Sequence, residues 1–161
     1  MTDSHSRVEE RVTVPCPYHL AQGYLDDSVR DRASSREGES LKLRLPMLGA
    51  ELTKNVVVTF SPGKDPMHFD RPWRLRWTPE NGGPYPDFEG QLTVRADEDY
   101  SSCILELLGE YRPPGGVLGA AFDRAVGRHI ASATGQALLQ EIAAAMVDRY
   151  WRDESAKGAR S

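Results

Sequence analysis

A chain of 161 residues fits one domain, and 39% hydrophobic residues with a net charge of -4 is an ordinary balance for a protein with a buried core. Its basic residues are scattered rather than clustered, which argues against a nucleic-acid partner, and no apolar run nears the roughly 18 residues of a membrane span. Met1 to Arg7 is polar and lacks the apolar centre of a signal peptide, so a cytoplasmic location is expected.

Residues 1–6 are expected to form a disordered tail, residues 7–152 a single domain and residues 153–161 a second disordered tail. Arg7 to Val14 reads as a first strand, ended by Pro15 and Pro17. Tyr18 to Val29 follows as a short helix, with Leu20, Tyr24, Leu25 and Val29 at helical spacing. Asp31 to Ser40 is polar and reads as a loop. Leu41 to Leu45 alternates leucine with base, as a half-buried strand does. Pro46 to Ala50 is a turn, and Leu52 to Phe60 is a β-rich run. Ser61 to Pro72 is a long Pro-containing loop. Trp73 to Trp77 then sets two indoles and a leucine on one face and two arginines on the other. After a second loop, Thr78 to Asp87, Phe88 to Ala96 has clear period-2 alternation. Asp97 to Asp99 makes a tight acidic turn, and Ser101 to Tyr111 is the last strand. Cys16 and Cys103 lie in strand-like contexts and are expected as buried free thiols.

The longest helical pattern runs from Val117 to Trp151, roughly 50 Å at ~1.5 Å per residue. Leu118, Phe122, Val126, Ile130, Ala133, Ala137, Ala144, Val147 and Trp151 share one broad face, which also holds His129 and Gln140. A further arc, Leu138, Leu139, Ile142 and Met146, is apolar in the second half. Consecutive strands without intervening helices form an antiparallel meander, and its apolar face needs a cover that only this helix is long enough to provide.

From Glu110-Tyr111-Arg112-Pro113-Pro114-Gly115-Gly116-Val117-Leu118-Gly119 into the helix, with Phe122-Asp123-Arg124 and Ile130 to Thr134, the chain resembles the START/Bet v 1-like superfamily, the SRPBCC or polyketide cyclase/dehydrase and lipid transport group. The order of elements agrees with that group over nearly the whole chain. One departure is that a single short helix, not two, follows the first strand. The resemblance implies an α+β helix-grip fold, a curved antiparallel sheet of about six or seven strands around a long C-terminal helix, with a cavity between them. It also implies an apolar or amphipathic small-molecule ligand, such as a lipid or polyketide.

Candidate ligand-binding residues follow from the inward faces. They are Trp73, Leu75, Trp77, Phe88, Leu92 and Tyr111 on the strands, and Phe122, Val126, His129, Ala133 and Gln140 on the helix. A polar residue on an apolar face needs a hydrogen-bond partner, so His129 and Gln140 are candidates to orient a ligand. His129 with an inward Glu106 would be an acid/base pair of the cyclase or dehydratase kind, although both faces of the last strand are partly apolar and leave the inward one open. A third reading is a cavity-poor interaction module, with a homodimer as one form. No cofactor is expected. The four isolated histidines fit no zinc spacing, and no phosphate-binding glycine loop or nucleophile elbow is present.

Overall fold

The computed structural model describes residues 7–33, 39–47, 50–63, 72–80, 87–112 and 124–159. In chain order these form β1 (Arg7–Val14), α1 (Tyr18–Ala33), β2 (Glu39–Met47), β3 (Ala50–Pro62), β4 (Trp73–Pro79), β5 (Asp87–Ala96), β6 (Cys103–Arg112) and α2 (Arg124–Gly158). All six strands join one antiparallel sheet in the order β1-β6-β5-β4-β3-β2. β2 to β6 are consecutive neighbours, and β1 closes onto β6. The architecture is the expected α+β helix-grip. Residues 113–123, including the expected start of the long helix, lie outside the described residues.

Local chemistry sets the joints. Pro15 turns the chain after β1, where the Cys16 amide donates to the Val14 carbonyl at 2.8 Å. The Tyr18 amide bonds the Tyr100 carbonyl at 3.2 Å, tying the start of α1 to the β5–β6 turn. In that turn Asp97 accepts from the Glu98 amide and the Ser102 hydroxyl, and Asp99 accepts from the Ser101 amide. Short acidic side chains stabilise turns in this way.

β3 is shared unequally. Residues Ala50–Val58 pair with β2, whereas Val56–Pro62 pair with β4. The distal half of the β2–β3 hairpin therefore extends past the end of β4 as a two-stranded arm. Pro46 and Met47 belong to β2 and Ala50 to β3, although a turn is expected over Pro46–Ala50; residues 48–49 lie outside the described residues.

The two helices pack against the concave face and against each other. Tyr24 of α1 donates its hydroxyl to Asp153 of α2 at 2.7 Å and meets Tyr150 edge-on, with ring centroids 6.2 Å apart. Ion pairs Arg149–Asp31 and Arg32–Glu141 join the same helices. These contacts explain one correction. The segment after Trp151, expected to be a disordered tail, is helical through Gly158. Asp153 anchors it to α1, and Lys157 pairs with Glu154 one turn away.

The buried stripe of α2 also differs from the expected one. It consists of Ile130, Ala131, Thr134, Leu138, Leu139, Ile142, Ala143 and Met146. Ala144 is exposed, and Trp151 is 59% exposed. The larger side chains of the second arc won. Burying Leu, Ile or Met removes more apolar surface from water than burying Ala, so the helix turns that arc inward.

Candidate functional site

Cross-strand register assigns the two faces of the sheet. Directly opposed residues share a face, so Val58, Trp77, Phe88 and Tyr111 form one inner row, and Phe60, Leu75, Gly90, Gly109 and Val8 form the next. Pro62, Trp73, Leu92, Leu107 and Glu10 form a third. All six expected strand residues, Trp73, Leu75, Trp77, Phe88, Leu92 and Tyr111, are therefore on the concave face and buried.

The centre of that face is aromatic. Trp77 and Phe88, opposite each other on β4 and β5, stack with centroids 4.1 Å apart and planes 12° from parallel. The glycine pair Gly90 and Gly109 makes this possible. A Cβ on either would stand within 2.6 Å of the Phe88 ring, so the ring lies over backbone that no other residue type leaves bare. α2 comes close here through Gly135, where an added Cβ would lie 3.1 Å from Leu107 Cδ2 and 3.8 Å from Trp77 Cη2.

One end of the face is polar. Asp26 of α1 is buried and accepts the Trp73 indole N–H at 2.9 Å and the Gln22 amide N–H at 2.9 Å on the same oxygen. Periodicity places Asp26 only one turn after Gln22 on α1, and nothing local in the sequence shows that an indole approaches it. Close by, the concave face is incompletely covered: inner-facing Phe60 is half-buried and Pro62 is exposed, although their partners Leu75 and Trp73 are buried.

The remaining expected residues divide. His129 and Gln140 are exposed, because the rotation of α2 turns them away from the interior. Ala133 is half-buried at the margin of the core. Phe122 and the Val126 side chain lie outside what the structure describes.

Glu106 belongs to the other face of the sheet. The inner residues of β6 are Cys103, Leu105, Leu107 and Tyr111, so Glu106 alternates outward opposite Arg11. Its side chain is only 1% exposed because two half-exposed arginines roof it, Arg11 Nε at 2.7 Å and Arg95 Nε at 3.3 Å. Oε2 has no hydrogen bond despite the nearby Arg11 nitrogen, so that pairing is one of charge rather than of aligned N–H. The pair expected of His129 and an inward Glu106 is not formed.

A separate cleft of about 200 Å³ opens between β1 and the first turns of α2, lined by Arg7, Val8, Glu9, Glu10, Arg128 and Ser132. The Ser132 hydroxyl donates to Glu10 across it. Among the described residues no cluster of His, Cys, Asp and Glu is able to hold a metal, and no helix is long and apolar enough to cross a membrane. Cys16 and Cys103 are free and buried, and burial pushes their thiols up to about 11 and about 12.

The curved antiparallel sheet with a long C-terminal helix packed against it is a helix-grip fold. Solved structures of similar shape include a protein from Thermus thermophilus (TM-score 0.49, 12% identity, covering 89% of this chain and 98% of that one). Others are the Zhui aromatase/cyclase of a Streptomyces species (0.48, 16%, 91% and 93%) and a START superfamily protein from Mycobacterium smegmatis (0.42, 12%, 91% and 98%). At these identities the likeness concerns shape alone. No family model and no curated protein matches the sequence.

Proposed function

We propose that the protein binds an apolar or amphipathic small molecule on the concave face of the sheet, between β3–β4 and the two helices. The observation that carries this reading is the incomplete cover at Phe60 and Pro62, beside the buried aromatics of β4. An apolar floor with one buried carboxylate at its edge is the composition of a small-molecule pocket, apolar in area with few placed polar groups. Apolar burial, ~25 cal/mol per Å², supplies the affinity, and the Trp73–Asp26 pair orients a polar end. A cyclase-type reaction finds no support in this geometry, because His129 is exposed and Glu106 is roofed on the opposite face.

The test is a titration with N-phenyl-1-naphthylamine, a neutral apolar fluorophore, alongside native mass spectrometry of freshly purified protein. Saturable probe binding is expected, with at least about a tenfold loss in Phe60→Asp, since a charge on the floor must be desolvated by the ligand. Phe60 is half-buried and packs against the core, so the variant is compared at a far-UV circular dichroism spectrum matching the parent's, and Phe60→Ala, which adds no charge, is titrated beside it with a smaller loss expected. Absence of saturable binding, or equal binding by Phe60→Asp, refutes the reading.

A further inference from the structure

The face of α2 turned away from the sheet carries a second seam. Ala133, Ala137, Gln140, Ala144, Val147 and Trp151 follow at alternating steps of four and three residues. On a wheel of about 100° per residue they lie within about 40° of Trp151, opposite the fully buried Ile142. Gln140, Ala144 and Trp151 are exposed, and the other three are half-buried. Such spacing is that of helices that pair along their length. Trp151 is the largest side chain of the seam and is 59% exposed. Its ring lies 5.3 Å from that of Tyr150, Tyr150 meets Tyr24 at 6.2 Å, and Tyr24 is tied to Asp153. An indole held in place before a partner arrives loses little freedom on binding, which is the quality of an interface hot spot.

The surroundings of the seam select its partner. All seven charged residues from Gln140 to Gly158 are engaged within the chain: Glu141 with Arg32, Asp148 with Arg152, Arg149 with Asp31, Asp153 with the Tyr24 hydroxyl, and Glu154 with Lys157. Charges already paired give little pull on phosphate, anionic lipid or an acidic peptide, and they suit a surface as neutral as their own. The relief of the seam is also complementary to itself. In an antiparallel pair with Ala144 opposite the partner's Val147, Trp151 stands over the partner's Gln140, in the hollow between the partner's Ala137 and the partner's Ala144. The two-fold axis repeats the contact. A parallel pair would set indole against indole and leave alanine facing alanine.

We propose that the outer seam of α2 is the interface of a homodimer, in which two α2 helices pack antiparallel and each Trp151 seats between two alanines of the other copy. The ligand reading concerns the opposite side of this helix and is independent of it. Two indoles at ~150–250 Å² each, with three alanines and a valine per copy, make a contact at the small end of specific interfaces, so the dimer is weak and half dissociated at about 10–100 µM. Sedimentation velocity of the full chain over about 1–500 µM is the test. The sedimentation coefficient should rise with concentration toward the dimer value, to the same extent in low and high salt because the flanking charges are paired. Trp151→Glu and Ala144→Glu should each weaken association at least about tenfold, with urea midpoints near the parent's because both side chains are exposed. Orientation is read by oxidising a mixture of Ala137→Cys and Glu154→Cys chains with copper–phenanthroline. These positions face each other in the antiparallel pair, so the mixed disulfide should dominate, and the buried Cys16 and Cys103 do not compete. A monomer at every concentration, association unchanged in both glutamate variants, or disulfides only between identical chains would overturn the proposal.

Discussion

Substituting three glycines by alanine should give three different outcomes, each set by what the new methyl meets. At Gly109 the Cβ would lie 2.4 Å from the Glu89 carbonyl oxygen, 2.5 Å from Phe88 Cζ and 2.6 Å from Gly90 Cα. Ordinary contact distance for such atoms is about 3.5 Å, so the overlap is close to 1 Å. Two of the three atoms are backbone and are unable to rotate away. β5 and β6 must part, and the Phe88 ring must leave Trp77. Overpacking alone costs ~1–3 kcal/mol, and a stacked aromatic pair contributes ~0.5–1.5 kcal/mol beyond its area. Gly109→Ala should therefore lose roughly 3 kcal/mol or more. Gly23, exposed within α1, has nothing within 4 Å. There alanine should gain ~0.5–1 kcal/mol through helix propensity alone. Gly135 is intermediate. Its nearest neighbour, Leu107 Cδ2 at 3.1 Å, is the flexible end of a side chain, so the propensity gain and the contact penalty should leave the net within ~1 kcal/mol of zero. Urea unfolding followed by far-UV circular dichroism measures all three. A Gly109→Ala variant within ~1 kcal/mol of the parent, or a destabilised Gly23→Ala, would refute the packing deduced for this part of the sheet.

A double-mutant cycle of Trp73→Phe and Asp26→Ala should return a coupling of ~1.5 kcal/mol or more, since the bond is buried and its acceptor charged; a coupling near zero would deny the Trp73–Asp26 pair its role. Ser28→Ala should match or exceed the parent in stability by up to ~1 kcal/mol, because the buried Ser28 hydroxyl lacks a partner and Ala is the better helix former. Iodoacetamide should label neither cysteine in the folded chain at mildly alkaline pH and both after unfolding, as mass spectrometry would show. The folded thiols hold their protons up to about pH 11 and about pH 12, whereas unfolded ones release them near the ordinary thiol value of 9.0; stability should therefore fall between pH 9 and pH 11, by up to ~1.4 kcal/mol per pH unit for each thiol, in urea melts at stepped pH. His129→Ala and Glu106→Gln should leave binding of the apolar fluorophore within about twofold of the parent, because neither side chain reaches the concave face.

The strands were legible because alternation is a local signal. Trp73-Arg74-Leu75-Arg76-Trp77 declares its inner face within five residues, and the observed burial follows it residue by residue. The last strand was not legible by the same means. Ile104 and Leu108 are apolar on one face and Leu105 and Leu107 on the other, so the inner face of β6 is decided by its partners. Val94 opposite Leu105 and Arg11 opposite Glu106 settle it, and both are long-range facts. The Asp26–Trp73 bond, 47 residues apart in sequence, escaped for the same reason.

α2 shows why a helical wheel identifies the helix more readily than the side it buries. Both of its arcs are apolar, and a wheel counts Ala133, Ala137 and Ala144 as equal to Leu138, Ile142 and Met146. Burial does not weigh them equally, since each added methylene contributes ~0.8 kcal/mol. The larger arc therefore turns inward, and the alanine arc is left half-buried or exposed. His129 and Gln140 lie on the losing arc and go to solvent with it. Gly135 instead lies between the winning residues, where the lack of a side chain lets the helix settle onto Leu107 and Trp77. The same choice of face carries Ser132 to Glu10 and sets Arg128, one turn earlier, over the cleft opposite Arg7. The orientation of α2 carries His129 to solvent and the register of β6 sets Glu106 on the outer face, and together they remove the acid/base pair that the sequence invites.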